Sequence, residues 1–152
     1  MLKLGKLADY ATALMTAMAS APAKVHTAQD LAGRTHVSAP TAAKLLKQLA
    51  KGGLVESLRG AHGGYRLSRL PERITVAEII SSVEGPIAVT ECSEHQSGCS
   101  IESSCATRAN WRLINSAIRE ALEAVTLAQM AAPVRRAESP IHFHPAVRQA
   151  SR

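Results

Sequence analysis

The sequence predicts a mainly α-helical protein: a helix-turn-helix followed by a two-stranded hairpin, the arrangement called a winged helix-turn-helix, and then a long C-terminal helix. Three observations predict it. Hydrophobic residues make up 46% of the chain but aromatics only 3%, and Ala, Leu, Val and Ile dominate what remains, which favours helices over a β-sandwich. Apolar residues recur at three- and four-residue steps, with capping residues ahead of the runs. One stretch, Arg59-Gly60-Ala61-His62-Gly63-Gly64, carries three glycines between two short strand-like runs.

The elements follow in order. Leu4, Leu7, Ala8, Ala11, Leu14, Met15 and Met18 place one buried face on a helix from Leu4 to Ala19, which Ala21-Pro22-Ala23-Lys24 breaks. Thr27 caps a short helix, Ala28 to Arg34, with Asp30 in a capping-box-like position. His36-Val37 is a tight connection. Ser38 caps a third helix, with Pro40 in its first turn, where a missing N–H costs nothing. Ala42, Leu45, Leu46 and Leu49 form its inner face, and Gly52-Gly53 ends it near Lys51. Leu54 to Leu58 reads as a strand and Tyr65-Arg66-Leu67 as its return, joined by a turn whose glycines permit positive φ. Thr75 with Glu78 makes a capping box for a helix bearing Val76, Ile79, Ile80 and Val83, and Gly85-Pro86 stops it.

Residues 90–106 are polar and Ser-rich and read as an irregular loop. A long helix without Gly or Pro follows to about Met130. Trp111, Ile114, Ile118, Leu122 and Val125 form a near-heptad stripe on it, which can face its own core or a twin helix. The stripe is too long for the small N-terminal core to cover, so a second subunit is its natural cover. The tail has three prolines, no periodicity and scattered charge, and is expected to be disordered. The organisation expected is a DNA-binding domain over 1–84, a cysteine-bearing loop over 85–106, a dimerisation helix over 107–131 and a basic tail over 132–152.

The formal net charge is +6, and it is unevenly spread. Residues 1–89 carry net +5, residues 90–132 net −2 and residues 133–152 net +3. A basic front segment points to nucleic acid. On the third helix, Ser38, Pro40, Thr41, Lys44, Lys47 and Gln48 lie on or beside the face opposite the leucines. Hydroxyls there can bond phosphates or base edges, and lysines neutralise the backbone. Arg59, at a hairpin tip among small residues, suits a narrow minor groove, where the potential is most negative. No apolar run approaches the ~20 residues of a membrane span. The N-terminus lacks a signal-peptide core, so a cytoplasmic protein is expected. There is no Gly-rich phosphate loop and no nucleophile elbow, which argues against an enzyme.

The three cysteines, Cys92, Cys99 and Cys105, all fall within one short segment. An odd number without an export signal argues against disulfides. No pair has the two-residue spacing of a zinc ribbon or a redox dithiol. Three thiolates on one loop can wrap a soft metal centre, whether zinc, copper(I) or an iron–sulfur cluster, and a cluster's wider ligand directions suit the longer spacers. His95, Glu94, Glu102 or a residue from elsewhere could add a fourth ligand.

Several of these residues match a known pattern. Asp9-Tyr10-Ala11, Gly53-Leu54-Val55, Arg59-Gly60, Gly63-Gly64-Tyr65, Thr75-Val76-Ala77-Glu78-Ile79-Ile80 and the three cysteines ahead of Trp111-Arg112 make residues 1 to about 131 resemble the IscR/NsrR-type iron–sulfur transcriptional regulators, most closely the branch that regulates SUF-type iron–sulfur assembly genes. The resemblance implies a homodimer joined by the C-terminal helix and a [2Fe-2S] or [4Fe-4S] cluster on Cys92, Cys99 and Cys105; two-fold symmetry would in turn make the double-stranded operator roughly palindromic. Part of the family places a histidine three residues after the third cysteine. Here that position is Arg108, which cannot ligate while protonated. The nitric-oxide-sensing relatives use an aspartate early in the first helix, given by the partner subunit, and Asp9 matches it. Cluster type and fourth ligand stay open between these patterns. The competing reading is a winged-helix protein-interaction module with structural zinc or free redox thiols.

Overall fold

A computed structural model describes residues 4–90 and 104–132. The elements are α1 (Lys6–Ala19), α2 (Ala28–Thr35), α3 (Ala39–Lys51), β1 (Val55–Leu58), β2 (Gly64–Leu67), a 3-10 turn (Pro71–Arg73), α4 (Val76–Glu84), α5 (Arg108–Glu123) and α6 (Leu127–Ala131). β1 and β2 pair antiparallel, with Val55 opposite Leu67 and Leu58 opposite Gly64. The mainly helical winged fold expected from the sequence is the one observed.

The caps explain most boundaries. Thr27 accepts the Asp30 N–H at 3.1 Å, and Thr75 with Glu78 forms the full reciprocal box at α4. Burial opposes ionisation of Glu78, but the Thr75 N–H, the Arg69 guanidinium at 2.9 Å and the Thr75 hydroxyl outweigh it and hold the carboxyl below its ordinary range. The start of α1 was not legible. Gly5 has no side chain to cap it, and the Glu84 carboxylate, arriving from the end of α4, accepts the Ala8 N–H at 3.3 Å. A carboxylate there also opposes the positive end of the helix dipole. Leu4 precedes the helix and is exposed, as is Leu7, so neither joins the buried face expected for them. At α3 the position of Ser38 is right but its bond is not: Ser38 Oγ pairs with Thr41 Oγ1 at 2.8 Å and caps no backbone group. His36 makes the α2–α3 turn in the left-handed region, at φ 58°.

The main core draws Leu14, Met15 and Met18 from α1, Leu31 from α2, Leu45, Leu46 and Leu49 from α3, Leu67 from β2, and Ile74 and Ile79 from the α4 segment. Each leucine so buried contributes about 1.5–3 kcal/mol. His26, between the breaker and Thr27, is also buried. Its backbone exchanges two 2.8 Å hydrogen bonds with Tyr65, which adds a one-residue third strand beside β2. Gly64 permits this approach, since a Cβ there would run into the His26 carbonyl oxygen. The wing is thereby tied to the helical body.

The single C-terminal helix expected over 107–131 is two helices. Thr126 and Gln129 form a second capping box, so the chain turns out at Ala124 and Val125 and restarts as α6. The backbone there crosses back to the start of α4: Val76 N–H donates to Val125 O at 2.9 Å, and Leu127 N–H to Ile74 O at 2.8 Å. Leu127 enters the main core with no exposure at all. A helical unit ending at residue 84, as expected from the sequence, therefore omits a core residue. Replacing Leu127 with Ala is expected to cost about 2–5 kcal/mol, the usual range for a buried leucine cavity. Urea unfolding of the variant checks this, and wild-type stability would place α6 outside the folding unit.

Candidate nucleic-acid interface and thiolate segment

The surface expected to meet nucleic acid begins with α3. Its inner face, Ala42, Leu45, Leu46 and Leu49, is fully buried, which turns Ser38, Pro40, Lys44 and Lys47 outward into solvent. Thr41 is half-buried beside them. Gln48, expected on the outer face, is half-buried, and its Oε1 is enclosed without a partner. Among the described residues Lys44 and Lys47 form no ion pair, unlike Arg66, held by Glu56 at 2.8 Å, and Arg69, held by Glu78 at 2.9 Å. Two unpaired lysines on the outer side of a helix with a free N-terminus give a surface able to take phosphate oxygens.

The wing tip carries Arg59. It is exposed, follows Leu58 at the end of β1, and forms no ion pair among the described residues. Gly60, at φ 105°, reverses the chain, and the Gly63 N–H closes the turn on Gly60 O at 2.9 Å. A Cβ on Gly63 would press on the Leu58 and Gly60 carbonyl oxygens. The glycines thus let a tight tip form and leave one long cation projecting from it.

Of the cysteines, Cys92 and Cys99 lie outside the described residues, as do His95, Glu94, Glu102 and the tail from residue 133. Cys105 lies two residues before Thr107, the N-cap of α5. Its Sγ is 3.4 Å from Thr107 Oγ1. The Thr107 hydroxyl, the Thr107 and Arg108 N–H groups and the Arg108 charge together draw the thiol below its ordinary value. This is the setting in which a cysteine becomes a thiolate ligand. Among the described residues no three His, Cys, Asp or Glu side chains converge on one point.

Asp9 is exposed on α1, in a shallow groove with Thr12, Thr16, Arg34 and Met130. Cys105 precedes α5, which packs on α4. No hydrogen bond, ion pair or cavity joins Asp9 to Cys105 among the described residues.

No residue of α5 is buried. Trp111 is 37% exposed, Ile114 43% and Leu113 72%. Lower on the stripe the environment changes. Leu122 and Val125 pack against the chain's own Ala8, Val76 and Ile80, and Ile118 lines a cleft with Leu4, Ile80 and Ile87. The stripe is therefore more exposed at its upper end than at its lower end, a division that spacing alone did not reveal. Asn115, set within the stripe, was passed over by the sequence reading. It hydrogen-bonds the backbone of Ile87 and Val89.

Known proteins share this arrangement. Residues 4–133 match the family model Rrf2, described as an iron-dependent transcriptional regulator. The IscR regulator of Aliivibrio salmonicida is 35% identical over 101 residues, 66% of this chain and 60% of that protein. The match thus spans less than two thirds of that relative's length. Protein rrf2 of Nitratidesulfovibrio vulgaris is 34% identical over 102 residues, covering 67% of this chain and 68% of that one. Among solved structures, the IscR of T. potens superposes with a TM-score of 0.65 at 32% identity, over 85% of each chain. CymR, the global cysteine regulator of B. subtilis, superposes at 0.67 with 31% identity, over 86% of this chain and 97% of that one. The family model and the Aliivibrio relative carry the name of a transcriptional regulator, and CymR that of a regulator. Among the described residues no helix is long and apolar enough to cross a membrane.

Proposed function

The chain belongs to the Rrf2 family of transcriptional regulators, and from that premise we propose a cytoplasmic, homodimeric DNA-binding protein whose operator binding responds to an iron–sulfur cluster held by Cys92, Cys99 and Cys105. Its targets in this reading are iron–sulfur assembly genes of the SUF type. The observation that carries the DNA half is the outer side of α3, with Ser38, Pro40, Lys44 and Lys47 exposed behind a fully buried leucine face. In this reading Ser38 and Thr41 meet phosphate or base edges, Lys44 and Lys47 neutralise phosphates, Gln48 lies behind them, and Arg59 enters the adjacent minor groove. A two-fold dimer sets two such units one helical turn apart, so the operator is palindromic.

The donor set fits the cluster. Cys105 is drawn toward thiolate at the start of α5, and thiolates are the ligands such clusters take. The IscR relatives support the same assignment. When bound, the cluster supplies a centre that changes with redox state, iron supply or small oxidants. The protein's part is to hold three sulfurs at the head of α5 and to offer Asp9 from the partner subunit as a weaker oxygen ligand. Trp111, Ile114 and Ile118, with the flanks of Leu122 and Val125, form the dimer seam.

Visible absorption of anaerobically purified protein tests the cluster directly, because structural zinc is colourless. A colourless zinc-loaded protein would favour the interaction-module reading. On the DNA side, Arg59→Ala is expected to weaken operator binding by about 1–3 kcal/mol and to spare random DNA, whereas Lys47→Ala weakens both alike and lowers the salt dependence. Fluorescence anisotropy at two salt concentrations reads both effects. Equal losses on operator and random DNA for the two variants would remove the wing from sequence recognition.

A further inference from the structure

Asn115 makes two hydrogen bonds to one short piece of backbone. Its Oδ1 accepts the Val89 N–H at 3.1 Å, and its Nδ2 donates to the Ile87 carbonyl at 3.2 Å. Donor and acceptor of one carboxamide are both used, so it mimics a peptide unit of a neighbouring strand. Asn is a poorer helix former than Ala or Leu, so this position costs α5 something locally and returns it as a tie to another segment. The tied segment is the approach to the cysteines, since Val89 stands three residues before Cys92. The far end of the cysteine segment is fastened to the same helix, where the Arg108 N–H donates to Cys105 O at 3.4 Å. Asn115 and Arg108 are separated by about 10 Å along the helix axis at the usual rise per residue. Both ends of the segment are therefore anchored on one helix, about two turns apart.

We propose that Asn115 is a positioning residue for the thiolate centre: by pinning Ile87–Val89 to α5 it fixes the point from which Cys92 approaches, and so lowers the chain entropy lost when three sulfurs close on one metal. Fixing loop ends in advance is the general route by which preorganisation raises affinity. Asn115 itself touches no metal. The inference rests on the reading of the three cysteines as ligands, and it does not depend on whether the centre is zinc-like or a cluster.

The test uses the full chain, reduced, with Asn115→Ala, Asn115→Asp and, as a neighbouring control, Ser116→Ala. Cadmium is the probe, its affinity measured by chelator competition and read by the thiolate–metal absorption band. Iron–sulfur reconstitution and cluster lifetime are followed in parallel. Asn115→Ala removes both bonds. Asn115→Asp keeps the size and the acceptor for Val89 but sets a carboxylate oxygen against the Ile87 carbonyl. Both are expected to weaken cadmium binding about tenfold, the worth of two modest hydrogen bonds, and to speed exchange of the Val89 amide in the metal-free protein. Ser116→Ala changes neither. Wild-type cadmium affinity in both Asn115 variants, or an equal loss in Ser116→Ala, would overturn the proposal. Should the alanine variant fold poorly, the aspartate variant decides. A wild-type protein that takes cadmium but no cluster would sink the cluster reading alone and leave the cadmium comparison to decide this one. A wild-type protein that takes neither would sink both.

Discussion

Replacing Ile114 with Asp is expected to give a monomer and to lower operator affinity by about 10²–10⁴, the gain that linking two modest sites provides. Ile114 and Trp111 lie on the upper part of α5, where both are partly exposed and no residue of the helix is buried. In a two-fold seam the introduced carboxylate of one subunit would sit near its twin, and burying such unpaired like charges costs several kcal/mol. Ile118 is the less informative position, because it lines a cleft with Leu4, Ile80 and Ile87, and a charge there would also injure the chain's own packing. Sedimentation velocity reads the oligomer, and anisotropy on a full palindrome and on a half-site reads the coupling. The variant should bind the half-site as the wild type does. An intact dimer would remove α5 from the seam. A monomer that holds the full site at wild-type affinity would separate pairing from recognition.

Cys92→Ala, Cys99→Ala and Cys105→Ala are each expected to abolish the visible chromophore and bound iron after anaerobic reconstitution, while leaving the unfolding free energy of the metal-free protein, measured in urea, within about 0.5 kcal/mol of wild type, as for substitutions away from the core. Cys105 belongs to neither apolar cluster of the protein, and the core closes through α4 and α6 without it. A single surviving ligand pair holds a cluster poorly, so loss should be near complete, not graded. Retention of full absorbance and iron by all three variants would end the cysteine-ligand reading. Loss of absorbance with Cys105→Ala alone would leave Cys92 and Cys99 without a role in it.

Much of the fold was legible because its signals are local. Thr27 and Thr75 cap the helices they precede, and the glycines between Arg59 and Tyr65 turn the hairpin. The break between α5 and α6 carried the same signature, Thr126 with Gln129 three residues on. The apolar spacing from Leu122 to Val125 ran across it and concealed it. Burial of His26 was illegible for another reason: its partner Tyr65 lies on β2, across the fold. Asn115 was missed because its partners are backbone atoms, which no pattern of side chains marks. The outward placement expected on α3 is found at Lys44 and Lys47, whereas Gln48 is half-buried with its Oε1 enclosed. The cysteine spacing pointed to a soft metal; the local chemistry at Cys105, with Thr107 and Arg108 beside it, needed coordinates.

The bridge between Thr75 and Thr126 has a consequence for how such a chain can change over generations. Everything from Val76 to Val125 departs from one point and returns to it, and paired backbone hydrogen bonds hold the two ends together whatever lies between. The stretch from Gly85 to Glu123 is in effect a cassette plugged into a reading head, with the socket formed by Ile74, Val76 and Leu127. Lengthening or shortening the cysteine segment leaves that closure in place, because closing a longer excursion costs only slowly more. The cysteine-bearing stretch can therefore diversify in length, spacing and chemistry while the helix-turn-helix and wing keep their shape.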